Sequence, residues 1–280
     1  MTGSLLDRAL RTIELLALQG PGLKLHDISE RLNIPKSAAH HLLGDLIEHG
    51  YVRQDADTTY RLTTKVVSLG NAWLASSGAT GAVQPTLDRL AAATGELVRY
   101  AAVDGEKLTW VAKSQGARFG LRVDPDPGTD AVLYCTATGH AWLASHDDDA
   151  AIRLVMLQGF GRLSDHGPNA PRTVDELRKS LEAARARGYA TAIDSNAPGI
   201  SSIAVVVRHP LTRGSLGVLS ISGPSLRLTE HRIRELAPEL LEAAAELAVA
   251  GTDALPQLSV DLEEAARQDH ASKRDTPRYG

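Results

Sequence analysis

LHDISERLNIPKSAAHHLLGDLIEHG, residues 25–50, decides how the rest of this chain is read. Leu25, Ile28 and Leu32 recur at helical spacing and predict a short helix that stops near Asn33. After Pro35 a second stripe, Ala39, Leu42, Leu43, Leu46 and Ile47, predicts a longer helix that ends at Gly50. Two short amphipathic helices across a tight turn form a unit that buries one face of the second helix and offers the other.

Upstream, Leu6, Ala9, Leu10, Ile13, Leu16 and Ala17 place one apolar stripe on a helix over residues 4–17, closed by Gly20-Pro21-Gly22. Downstream, Tyr51-Val52-Arg53 and Thr59-Tyr60-Arg61-Leu62 alternate like short strands around the polar turn Gln54–Thr58. Three short helices and a hairpin within residues 1–62 are the layout of a winged helix-turn-helix. On a wheel of the third helix, Ala39, Leu42, Leu43 and Leu46 share the buried side. Ser37, His41, Gly44 and Glu48 lie opposite, His40 is on the flank, and Lys36 stands at the N-terminal end. The start of such a helix enters the major groove of double-stranded DNA. Lys36, Ser37, Ala38, His40 and His41 are therefore the candidate reading residues, with His41 the most outward. Arg53 and Arg61 on the hairpin are candidates for phosphate contacts. A metal at His40-His41 is not expected, because adjacent helix positions point about 100° apart.

Residues 63–78 read as a linking helix with Val66, Val67, Leu69, Trp73 and Leu74, an apolar face broad enough to suggest burial against a second subunit. Residues 79–250 alternate element types. A helix around 82–94 precedes strands near 97–103 and 107–113, with a third candidate near 118–123. Helices follow near 135–145, 148–157 and 173–187, then strands near 200–208 and 215–222 and a helix at 229–250. This order suggests an antiparallel sheet flanked by helices, and the class of the whole chain is α+β. Residues 251–280 are polar and aperiodic, and are expected to be a disordered tail.

The 280 residues suggest two domains, and 43% hydrophobic content suffices for real cores. Charge alone does not suggest DNA: the net charge is −4, and residues 1–78 balance eight Lys/Arg against eight Asp/Glu. The single cysteine, Cys135, fits a reducing cytoplasm. No apolar run has the length of a membrane span, and MTGSLLDRAL does not read as a signal peptide. No G-x-S-x-G, H-E-x-x-H, Walker-A or complete G-x-G-x-x-G pattern occurs, and Gly159-Phe160-Gly161 lacks the rest of a dinucleotide fingerprint. Neither an enzyme nor a cofactor is expected.

Ser4-Leu5-Leu6-Asp7-Arg8-Ala9-Leu10, Ile13 through Leu16, Leu25 through Ser37, Gly50-Tyr51-Val52 and Tyr60-Arg61-Leu62 together resemble the N-terminal part of IclR-type transcriptional regulators. Thr136 through Ala144, Arg187-Gly188-Tyr189, Gly199 through Ala204 and Leu219 through Pro224 continue the resemblance, which runs in order to about residue 249. It implies a GAF-like effector domain and assembly as a homodimer or homotetramer. Ala38 and His41 stand where the family commonly has Thr and Arg, so the operator sequence is this chain's own. His140 replaces a frequent Lys, and Ala192 matches a position that is often Asp in sensors of small oxoacids.

Carried over residue by residue, the resemblance implies an effector site of Ala137 and Thr138 at a helix start, with Ser202, Ser220 and Ser222 on the two late strands. Helix-start amides and converging hydroxyls suit a small carboxylic acid. Leu121, Val123, Leu133 and Ile200 are expected as apolar walls, and Tyr100 and Trp110 as stacking groups. Ala192 leaves room for an aromatic ring. Repression is favoured over activation; the competing readings are a DNA-binding scaffold without a ligand and an enzyme of unidentified class.

Overall fold

The computed structural model describes residues 4–76, 79–123, 130–162 and 165–254. They divide into two compact units between Ser76 and Ser77. The first holds α1 (Leu5–Ala17), β1 (Leu23–Lys24), α2 (Leu25–Leu32), α3 (Lys36–Glu48), β2 (Val52–Gln54), β3 (Thr59–Leu62) and α4 (Lys65–Ser76). Its sheet has the order β1-β3-β2. Leu16, Ile28, Leu42, Leu43, Val52 and Tyr60 form the centre of its core, each large apolar side chain contributing about 1.5–3 kcal/mol by leaving water.

Two local devices shape the helix-turn-helix. Asn33 takes a left-handed conformation with φ of 53°, which ends α2. Ser29 then donates its hydroxyl to the Ile34 carbonyl at 2.7 Å and fixes the turn into α3. Two expectations change. β1 was too short to stand out in the sequence, yet Leu23 pairs with Tyr60 and closes the wing sheet. The stripe on α1 is wider than the face it buries: Thr12 and Leu16 point inward, whereas Leu6 and Leu10 are 68% and 51% exposed.

The second unit holds α5 (Ala79–Thr94), β4 (Leu97–Asp104), β5 (Lys107–Gln115), α6 (Ala137–Leu143), α7 (Asp148–Gln158), α8 (Val174–Arg187), β6 (Ala190–Ile193), β7 (Ile200–Arg208), β8 (Ser215–Pro224) and α9 (Glu230–Ala254). The strands form an antiparallel sheet in the order β5-β4-β8-β7-β6. Helices α5 and α9 cover one face, and α6 to α8 pack with the other. The chain is thus α+β, with the antiparallel sheet between helical layers.

Residues 118–123 are not a strand. After β5 the chain bends at Gly116, where an added Cβ would lie 2.0 Å from the Ala91 carbonyl oxygen. The fifth strand is instead β6, four residues of modest apolar contrast on the opposite edge. Helix α9 continues to Ala254, so residues 251–254 are helical rather than tail. The tail expectation otherwise falls on residues 255–280, outside the described residues.

Candidate functional site

In the first unit, Pro35 is the N-cap of α3 and supplies no side-chain cap. Lys36, Ser37, His40 and His41 are exposed, Ala38 is half-buried, and Ala39, Leu42 and Leu43 anchor the opposite side. The face offered to solvent therefore begins with a cation and an uncapped helix start, a combination suited to phosphate and base edges. The His40 and His41 rings lie 6.2 Å apart at 85° and diverge. Among the described residues, no group of three or more His, Cys, Asp or Glu is arranged to hold a metal. On the wing, Asp55 takes both arginines, with Arg61 Nε at 2.7 Å and Arg53 Nε at 3.5 Å. Hydrogen bonds from Thr59, its side chain first, hold the Asp57 carboxyl below its ordinary value. The two wing cations thus stand beside two carboxylates.

In the second unit, a cavity of about 280 Å³ opens beside the sheet. Its wall follows one row of paired residues: Ala192 on β6 pairs with Ser202 on β7, Ser202 with Ser222 on β8, and Ser222 with Leu97 on β4. Ala192, Ser202 and Ser222 line the cavity, and Ile200, Thr136, Thr138, Asn196, Val123 and Arg122 complete its wall with Arg99. Arg99 stands one row along, opposite Ser220.

Arg99 is one of two arginines in this wall, with Arg122. Its guanidinium stacks on the Trp110 ring, 3.7 Å from the centroid. Its Nε is buried with no hydrogen-bond partner. Burial lowers its pKa to about 10, so the group remains a cation at neutral pH. An uncompensated buried charge costs several kcal/mol, whereas a desolvated cation–π contact returns ~2 kcal/mol. The balance leaves this site short of negative charge.

The cavity mouth is braced. Arg227 donates to both Glu96 carboxylate oxygens and to the Leu121 carbonyl at 2.8 Å. Gln115 donates to the Val123 carbonyl, also at 2.8 Å.

Of the residues expected at an effector site, Thr138, Ile200, Ser202 and Ser222 line the cavity, as do Val123 and Ala192. Tyr100 lies on the other face of the sheet, against α5 and α9, where burial raises its hydroxyl pKa. Leu121 is 65% exposed and gives only its carbonyl to the brace. Ala137 and Leu133 belong to the core. Ser220 shares the face of Ser222 but is buried beneath the wall, its hydroxyl without a partner. Helix α6 is seven residues long, and Thr136 Oγ1 already caps the Gly139 amide at 2.9 Å. The positive charge of the site comes from the arginines of its wall, Arg99 and Arg122, not from the helix start. His140 is buried and bonds the Tyr134 carbonyl through Nε2 at 2.6 Å, which makes it a packing residue. Burial raises the Cys135 thiol to about 12.

Arg99, Arg122, Thr136 and Asn196 were not among the expected site residues. For Arg99 the sequence did carry a signal: a single cation inside the apolar strand Leu97-Val98-Arg99-Tyr100-Ala101-Ala102-Val103.

Residues 5–56 match the family model described as the IclR helix-turn-helix domain, and residues 72–249 match that of the bacterial transcriptional regulator IclR C-terminal domain. The HTH-type transcriptional regulator BhcR of Paracoccus denitrificans is 29% identical over 86% of this chain and 85% of its own length. The transcriptional repressor IclR of Escherichia coli is 24% identical over 88% and 89%. Among solved structures, an IclR homolog from Microbacterium hydrocarbonoxydans complexed with 4-hydroxybenzoate superposes with a TM-score of 0.75. It covers 89% of this chain and all of its own, at 19% identity.

Proposed function

The chain belongs to the IclR family of bacterial transcriptional regulators, and we propose that it is a repressor released from its operator by a small carboxylic acid. DNA is read by the α3 face of Lys36, Ser37, Ala38, His40 and His41, with Arg53 and Arg61 on phosphate. The acid occupies the cavity of Thr138, Ile200, Ser202 and Ser222. One observation carries this reading: a cavity walled by hydroxyls and a half-buried cation lies in the same chain as an exposed helix-turn-helix face. Ala192, Ile200 and Val123 favour an aromatic acid over a two- or three-carbon oxoacid, since they offer an apolar wall and no further charge. The acid bound to the Microbacterium hydrocarbonoxydans homolog is of this kind.

The reading extends to assembly and place of action. Exposed Leu6 and Leu10 on α1, and exposed Val67 and Leu69 on α4, support a homo-oligomer, which matches the two-fold sites usual for such readers. Among the described residues no helix is long and apolar enough to cross a membrane; the site of action is the cytoplasm, on DNA.

Footprinting on DNA flanking the chain's own gene, with and without benzoate-type acids, tests the whole. Protection should weaken as acid is added, and Lys36→Ala with His41→Ala should abolish it without changing particle size. Protection unaffected by any acid, or full affinity in the double variant, would overturn it.

A further inference from the structure

We propose that Arg99, seated on Trp110, is the residue that pairs with the effector's carboxylate, so that the cavity selects the ionised acid over any neutral analogue of the same shape. This rests on the reading of the cavity as the effector site, and goes beyond it by naming the group that sets its charge selectivity.

Three observations converge. Arg99 lines the cavity from the interior strand β4, where the backbone is held on both sides by β5 and β8. Its Nε has no hydrogen-bond partner, and its guanidinium lies over the indole face of Trp110. Of the other arginines in this region, Arg227 is already engaged by Glu96, and Arg122, which also lines the cavity, has interactions of its own. A guanidinium fixed on an aromatic plane keeps its in-plane donors free for a planar, two-oxygen partner, and a carboxylate has that geometry. Ser202 and Ser222 stand on the same sheet face to take the remaining lone pairs. A neutral amide offers one oxygen and a donor that would oppose the cation.

The charge deficit makes a second, opposite expectation. An arginine kept for packing or an ion pair destabilises the fold when removed. An arginine awaiting an anion is a burden in the empty protein, so Arg99→Gln should leave the unliganded melting temperature unchanged or raise it.

The test uses the full chain, with thermal shift and calorimetry on matched acids and amides: benzoate and benzamide, 4-hydroxybenzoate and 4-hydroxybenzamide, pyruvate and pyruvamide. The wild type should bind one or more acids at least tenfold more tightly than the paired amide. Arg99→Gln should lose that preference and weaken acid binding tenfold or more, while Arg99→Lys recovers part of it. Ala192→Phe, which fills the cavity, separates the two levels of the argument. If an amide binds as well as its acid and Ala192→Phe abolishes both, the charge pairing is overturned and the cavity stands. If acid binding survives Ala192→Phe, the cavity is the wrong site. Undiminished acid affinity in Arg99→Gln, or an unliganded variant that melts well below the wild type, also overturns the role given to Arg99.

Discussion

Arg227 reaches back 131 residues to grip Glu96, Nε on Oε1 at 2.7 Å and Nη2 on Oε2 at 2.9 Å. The carboxylate is buried while the guanidinium is about two-fifths exposed, so the two partners are unequal. The hydrogen bonds that Arg227 donates to Glu96 raise its pKa. Because the same side chain holds the Leu121 carbonyl, one ion pair ties the root of β4 to the mouth of the cavity.

Arg227→Ala strands a buried carboxylate. The loss should be about 2 kcal/mol, below the figure for a fully buried pair because water reaches the arginine. For a unit of this size that lowers the melting temperature by roughly 4–8 °C. Calorimetric scans should show the shift in the transition of the second unit alone, and acid affinity should fall at temperatures where the variant is still folded.

Asp55 restrains the wing. Asp55→Asn keeps the turn, whose Asp55–Thr59 and Thr58–Asp55 links are backbone bonds, but releases Arg53 and Arg61. Binding to DNA of any sequence should strengthen. The slope of log affinity against log salt should steepen by about one for each additional phosphate that the freed arginines neutralise. Fluorescence anisotropy on a random duplex from low to moderate salt measures both; an unchanged slope would mean the wing does not reach phosphate.

His140 predicts an acid limit. Burial holds it below its ordinary value of 6.5, against the opposing pull of the Tyr134 and Thr191 carbonyls. Between the folded pKa and 6.5 the unfolded chain binds more protons than the folded one, so stability falls as pH drops through 6.5. His140→Gln lacks that titration. Its melting temperature between pH 7.5 and 5.5 should follow a flatter line than the wild type, whatever the offset between them.

Leu6→Glu with Leu10→Glu puts charge on the exposed face of α1 without touching Thr12 or Leu16 in the core. Light scattering should report a smaller particle than the wild type, with the fold intact by circular dichroism. A mass identical to the wild type would remove α1 from the assembly.

The helix-turn-helix was legible because it is local. Ile28, Leu42 and Leu43 reach their partners within a few turns of chain, so periodicity alone told the buried side from the free one. The cavity was legible only in part. Ser220 and Ser222 share a face by spacing, but which face β4 offers depends on its register against β8. That register, Leu97 on Ser222 and Arg99 on Ser220, is a long-range fact. Adjacent strand residues point to opposite sides, so once Arg99 faces the cavity Tyr100 cannot. The wing ion pairs were hidden likewise, since Asp55 looked like an ordinary turn residue until the hairpin brought Arg53 and Arg61 to it.

A ribosome makes the α3 reading face long before it makes Ser222. The helix-turn-helix lies in the unit that ends at Ser76, while the cavity wall is one row across four strands whose last member enters near the end of the chain. Domains emerge and fold from the N-terminus, so a message cut between these points encodes the reader without the release mechanism. Truncations in the second unit are therefore expected among mutants locked in repression, a phenotype distinct from the loss of repression expected on damage to residues 36–41.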